Sequence, residues 1–187
     1  MGIVKNPDRV QLFCGVINTP DTNIDEVGAV LAEEFGEIDM RSDVLDFDFT
    51  DFYEGEMGAG LKRVFFAFEK LIDPSEITSI KLKTNELELK FAEIVDDKVM
   101  RKVNLDPGYL TPAKMLLATT KDYFHRVYIG DGIYAEVTLV YRRPSFAPFE
   151  WTYPDYKTEE YIDFFNKLRI RYRNKLRFAG SEDENLA

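Results

Sequence analysis

The chain has 187 residues, 45% hydrophobic and 31% charged, a globular composition in which one domain buries roughly 70% of its unfolded surface. Its 34 acids and 24 bases leave a net charge of −10, which excludes a general nucleic-acid binder because phosphate recognition needs a basic surface, so no DNA partner is expected. A single cysteine, Cys14, excludes an internal disulfide and suits a reducing cytoplasm, the expected location; MGIVKNPDR lacks a signal peptide's apolar stretch, and no apolar run reaches the roughly 20 residues of a membrane span.

The charge is segregated. Residues 21–60 hold thirteen acids and one base, Arg41, whereas Lys167, Arg169, Arg171, Arg173, Lys175 and Arg177 crowd eleven positions near the C-terminus. Such a bipolar chain reads as a solvated acidic face with a basic helix end, or as a docking surface for a partner or a second copy.

Val10–Ile17 is a short apolar run that reads as a buried strand. Asn23 caps a predicted helix over IDEVGAVLAEEF, with Ile24, Val27, Leu31 and Phe35 on one stripe and Gly36 at its end. From Val44 to Tyr53 the period falls to two, with Leu45, Phe47 and Phe49 opposite Asp46, Asp48 and Thr50, which predicts a half-buried strand. Residues 61–72 fit either a helix face or a hairpin partner for that strand, and the bunched Phe residues behind the Gly-rich loop favour the hairpin. Asp73-Pro74 opens a helix to about Ala92, and a further strand is expected over Val99–Leu105.

Asn104-Leu-Asp-Pro-Gly reads as a turn, and Thr111-Pro112 as the cap of a short helix to about Lys121. A hairpin follows. A three-residue loop at Gly130-Asp131-Gly132 sets Ile129 opposite Ile133, Val127 opposite Ala135, His125 opposite Val137 and Tyr123 opposite Leu139. The other face then pairs Tyr128 with Tyr134 and Arg126 with Glu136, leaving His125 on the apolar side. The Pro- and ring-rich stretch SFAPFEWTYPDY reads as a loop held by its aromatic side chains, which either lids the core or stacks a ring. Thr158 caps a long helix with Tyr161, Phe164, Phe165, Leu168, Tyr172 and Leu176 inward; Gly180 ends it.

Three sets of residues could carry chemistry. Gly55 and Gly60 have the spacing of a phosphate-binding Walker loop, but Leu61 stands in the lysine position and Lys62-Arg63 bring no Ser or Thr for magnesium. Asp46 and Asp48, on one strand face, could hold a divalent metal if a third carboxylate converged on them; the alternative is a solvent-facing strand with Lys62 or Lys70 across from it. Lys114, Lys121, His125 and Arg126, with Asn104, Asp106, Tyr109, Thr119 and Thr120, could form a cationic pocket for a phosphate or carboxylate. No nucleophile–base pair can be assigned.

The segments DFTDFYEGEMGAGLKR, LIDPSEI, KTNELE, NLDPGYLTPAKMLLATTKDYFHRVYIGDGIYAEVTLVY and WTYPDY together resemble a bacterial domain-of-unknown-function family, number 4416, over nearly the whole chain. Some of its members are labelled GTP-binding proteins. The resemblance implies a single cytoplasmic domain and carries no catalytic residues.

These readings predict one α+β domain over residues 1–180. Residues 10–105 would form a ferredoxin-like βαββαβ core; residues 111–180 would add a helix, a hairpin, an aromatic loop and the C-terminal helix; residues 181–187 would form a disordered tail. The expected function is binding of an anionic small molecule, with a nucleotide among the candidates. The alternatives are an interaction or homodimeric module and a metal-dependent enzyme using Asp46 and Asp48.

Overall fold

The central strand β1 (Val10–Asn18) is buried along its whole length. Its side chains alternate between two cores: Val10, Leu12, Cys14 and Val16 join one, and Phe13 the other. Burial on both faces is why the run is continuously apolar rather than alternating. The computed structural model that shows this describes residues 2–184, with side-chain surroundings through residue 177.

Helix α1 (Ile24–Phe35) starts as expected, with the Asn23 side chain accepting from the Asp25 amide, and stops at Gly36, which takes a φ of +99°. A short strand β2 (Ile38–Arg41) follows, and then β3, which covers only Leu45–Asp46. The strand expected over Val44–Tyr53 therefore ends early. It runs antiparallel to β4 (Lys62–Ile72), and Asp46 already faces Lys62, where β4 begins; β2 lies alongside residues 66–68 of the same strand. The chain then leaves the sheet and turns into the single-turn helix α2 (Glu54–Met57). Residues 62–72 form a strand, as the hairpin reading favoured.

Asp73 and Glu76 form a capping box around a 3₁₀ turn at Pro74–Glu76, which leads into α3 (Ile77–Glu88) and a second such turn at Leu89–Phe91. The strands β5 (Glu93–Val95) and β6 (Lys98–Met100) make a separate two-stranded hairpin that turns at Asp96 and Asp97, both at positive φ. The main sheet resumes with β7 (Val103–Leu110) and β8 (Lys114–Thr119).

Two expectations fail here. Pro107 and Gly108 lie within β7 rather than in a turn, and residues 114–119 are strand rather than helix. Gly108 marks a close approach of strands: a Cβ there would stand 2.2 Å from the Leu116 carbonyl oxygen and 2.6 Å from the Phe13 ring. Thr111 accepts from the amides of Ala113 and Lys114, so its hydroxyl caps a tight turn instead of a helix. Met115 and Leu117 enter one core and Ala118 the other, the mark of a strand buried on both faces.

Strands β9 (Val127–Gly130), β10 (Ile133–Arg142) and β11 (Ser145–Pro148) complete the sheet. Tyr128 pairs with Tyr134 and Val127 with Ala135, as argued, but Gly130 rather than Ile129 faces Ile133. The hairpin ends sooner than its sequence suggests: β9 pairs β10 only at Ile133–Ala135, so His125 and Tyr123 lie outside the strand, and from Leu139 that edge is taken by β11, whose Pro148 stands where Tyr123 was expected, while β8 pairs the opposite edge. A 3₁₀ turn at Asp155–Lys157 precedes α4 (Glu159–Glu184), which runs on past Gly180. Of the tail expected over 181–187, residues 181–184 belong to this helix and the remainder lies outside the described residues.

The result is a mixed α+β architecture on one large antiparallel sheet, ordered β11-β10-β8-β7-β1-β4-β2, with β3 beside β4 and β9 beside β10. Residues of α1 and α3 share the core of one face. On the other face α4 packs Tyr161, Phe164, Phe165, Leu168 and Tyr172 against Phe13, Phe65 and Leu117. The aromatic stretch before α4 is divided between core and cavity: Phe146 and Tyr156 are buried, Trp151 donates to the Val137 carbonyl, and Tyr153 stays accessible.

Candidate functional site

Strands β7 and β8 pair only from Gly108 to Leu110. Below that point β8 diverges and the outer edge of β7 loses its strand neighbour. Buried backbone groups need partners, and α3 supplies them to Leu105: its amide donates to Glu88 Oε1 at 2.7 Å, and its carbonyl accepts from Lys81 Nζ at 2.7 Å. The gap opens into a cavity of about 600 Å³ at the end of the sheet where β4 and β7 begin and β8 ends.

The walls are charged. Arg63, Lys81, Arg101, Lys121 and Arg126 face Glu56, Glu88, Asp106, Glu136 and Asp155. Most of these charges are matched. Arg63 is buried and bridges Asp155 at 3.2 Å and Asp106 at 3.3 Å, with its guanidinium also over Phe47 and Phe65. It has room because residue 15 of the neighbouring strand is glycine: a Cβ on Gly15 would stand 2.9 Å from Arg63 Nη1. Burial raises Asp155 above the usual carboxylate range, against the opposing pull of Arg63. Burial likewise raises Glu88, although Lys81, the Leu105 amide and Arg101 favour its charged form.

Arg101 uses its whole fork. Its Nε and Nη2 meet the two oxygens of Glu56 at 2.6 and 2.7 Å, and its Nη1 meets Glu88 Oε2 at 2.6 Å. Lys81 and Lys121 differ. Neither forms a salt bridge among the described residues; the Lys81 ammonium donates to a backbone carbonyl, and that of Lys121 stands 3.8 Å from the centre of the Phe52 ring. Burial lowers the Lys121 pKa, and the nearby cations Arg126, Arg101 and Lys81 lower it further, while Asp106 opposes them. The Asn104 amide nitrogen is buried on the same wall without a partner among the described residues.

Of the four residues expected to hold an anion, the structure places two on this cavity, Lys121 and Arg126. Each nitrogen of Arg126 already has a partner within the fold: Nε meets Glu136 at 2.7 Å, Nη1 the Lys121 carbonyl at 2.8 Å, and Nη2 the Tyr153 hydroxyl. His125 lies behind it rather than on an opposite apolar face, with Nε2 at 3.0 Å from the same Glu136 oxygen and its ring stacked on Trp151. Val127, its expected neighbour on that apolar face, is 67% exposed. Lys114 is exposed and does not line the cavity. Of the supporting set, Asn104, Asp106, Thr119 and Thr120 line the cavity and Tyr109 does not.

Asp46 and Asp48 are exposed, and Asp46 pairs with Lys62. Among the described residues no three of His, Cys, Asp and Glu converge as metal ligands would. The sequence reading missed Arg63, Lys81, Glu88, Arg101 and Asp155. The polar triplet at Lys81, Asn85 and Glu88 was its available signal: on a helix these positions share one face, which is polar on a helix whose other stripe is apolar.

The fold and cavity define an α+β protein built around a polar, charge-lined pocket at the end of an antiparallel sheet. The chain belongs to the family described as domain of unknown function (DUF4416), whose model matches residues 8–172. No curated protein and no solved structure matches the chain. No helix among the described residues is long and apolar enough to cross a membrane.

Proposed function

We propose that the protein binds an anionic small molecule in the cavity between β7, β8 and α3, with Lys121 and Lys81 as its first charge partners. The observation that carries this reading is the pair of ammonium groups lining a concave site without carboxylate partners among the described residues. Exposed cations on a net acidic protein need no explanation, but cations gathered in a cavity retain a local positive potential that favours an anion. Phe49, Phe52, Tyr53 and Tyr123 on the walls offer ring faces, which suits a nucleotide or another phosphate carried on a planar group. The scaffold is read as ferredoxin-like: the order β7-β1-β4-β2, with α1 after β1 and α3 after β4, supports that assignment. One buried thiol, Cys14, is consistent with a cytoplasmic setting.

A thermal-shift screen tests the function. The panel is pyrophosphate, nucleoside mono- to triphosphates, sugar phosphates and dicarboxylates. At least one anion is expected to raise the melting temperature of the wild type and of Lys114→Ala, and to lose most of that shift in Lys121→Ala. A panel without any shift overturns the proposal.

A second reading has its own observation. Phe124 is 89% exposed, and Tyr123, Val127 and Tyr128 add exposed apolar surface on both faces at and beside edge strand β9. Such surface suits a second copy or another protein. Sedimentation equilibrium is expected to show a dimer that Phe124→Ser dissociates; a monomeric wild type removes the homodimer form of this reading.

A further inference from the structure

We propose that residues 50–57 seat an internal anion in the cavity, the Glu56 carboxylate holding the edge of Arg101 that a ligand's phosphate takes when it binds. This rests on the anion-binding reading and names the anion's position and class.

Arg101 is held from the protein side and from the cavity-covering segment in different ways. Its Nη1 is anchored by Glu88, which is itself buried and bonded to the Leu105 amide. Its other edge, Nε and Nη2, is closed by the two oxygens of Glu56, a fork-on-fork geometry that a phosphate reproduces. Glu56 belongs to a single turn of helix, and its side chain is 35% exposed. The guanidinium edge is thus preformed, and its present occupant arrives on a short excursion from the sheet.

The same segment covers a second cation. Phe52, 64% exposed, places its ring over the Lys121 ammonium. One stretch of eight residues therefore sets a carboxylate on one cavity cation and an aromatic face on another, the two features the ligand would bring. Met57 and Tyr53 tie the segment to a small cluster with Phe47 and Leu61, while Gly58 and Gly60, at φ of +76° and +74°, end it in conformations that glycine adopts without strain. Exchange thus calls for movement of a short segment and leaves the sheet in place.

Charge decides which oxyanion gains most. With Glu56 displaced, five cations on the walls face four carboxylates. A monocarboxylate merely replaces what leaves. A phosphate brings close to two negative charges near neutral pH and so adds attraction to Lys81 and Lys121.

Isothermal titration with pyrophosphate and with ADP tests this on the wild type, Glu56→Gln and Arg101→Lys. Glu56→Gln keeps the side chain's shape and removes its charge. It is expected to bind at least one of the two about tenfold tighter than the wild type, a difference of about 1.4 kcal/mol. Arg101→Lys, which cannot make a fork, is expected to weaken binding by a similar factor. Amide exchange adds a readout independent of Arg101 folding: residues 50–57 should exchange faster in the wild type when the better-binding probe is bound. Wild-type binding that Glu56→Gln tightens for neither probe, or exchange that slows on binding, overturns the displacement and leaves the anion-binding reading standing. No binding of either probe to any variant overturns the displacement, and a blank thermal-shift panel overturns the anion-binding reading with it.

Discussion

At the scale of single residues, Glu136 shows why Arg126 belongs to the frame rather than to a ligand. Its side chain is 1% exposed and accepts from Arg126, His125 and Thr138. A carboxylate removed from water needs such partners, and taking away its cation leaves a charge that neither water nor the remaining donors repay. Arg126→Ala is therefore expected to cost about 3 kcal/mol, read as a lower midpoint in urea unfolding. Anion binding, measured below the transition, should survive the change if Lys121 keeps its place. Loss of binding with unchanged stability would instead make Arg126 a ligand group.

At the scale of elements, β7 and β8 depend on a bare α-carbon. Gly108→Ala would force a methyl into the Leu116 carbonyl at 2.2 Å, and backbone cannot give way as a flexible side chain does. The expected result is a loss of about 3 kcal/mol or failure to fold, seen by circular dichroism melting; a stable variant would mean that the strands run further apart. The α2 segment should show a pH signature. Hydrogen bonds from Arg101 hold Glu56 below the usual carboxylate range. A lowered folded pKa contributes stability that is present above the ordinary value of 4.5 and is lost as pH falls through the lowered one. Acidification below about pH 4.5 should therefore erode the wild type's stability more steeply than that of Glu56→Gln. The difference should stay under about 1 kcal/mol, because the pair is partly solvated.

These elements also show what the sequence could reveal. Helix α1 and the Asp73 cap before α3 were legible because Asn23 and Asp73 accept from amides two residues away. Residues 104–121 were misread because Pro107-Gly108 and Thr111-Pro112 carry local turn chemistry, while the strand there is imposed by distant neighbours, β1 on one side and β10 on the other. The cavity was half legible for the same reason. Lys121 and Asp106 lie in the stretch read as a polar pocket, whereas Lys81 reaches it only through the docking of α3 on β7, and Arg101, just before β7, meets Glu56 and Glu88 from distant segments.

At the scale of the whole molecule, the segregated charges partly meet each other. Asp39, within the acidic stretch, takes Arg171 at 2.8 Å and Lys175 at 3.0 Å from α4, and Lys175 also reaches Glu69. Part of the basic helix is thus spent within the fold, on the face away from the cavity's α3 wall, and is not free for docking. The topology also decides where a phosphate can be received. A Walker loop works because it runs from a strand into a helix whose N-terminus points at the phosphates. Here the Gly-rich loop of residues 55–60 leads instead into strand β4, and Lys62, beside the Walker lysine position, pairs with Asp46 on the sheet edge. If GTP with magnesium binds this protein at all, Lys62→Ala should leave its dissociation constant unchanged within about twofold, since a surface ion pair contributes little. Lys121→Ala should weaken it about tenfold, as the loss of a cavity cation would. Titration calorimetry on the two variants distinguishes the sites: binding abolished by Lys62→Ala and indifferent to Lys121→Ala would move phosphate recognition to the glycine loop.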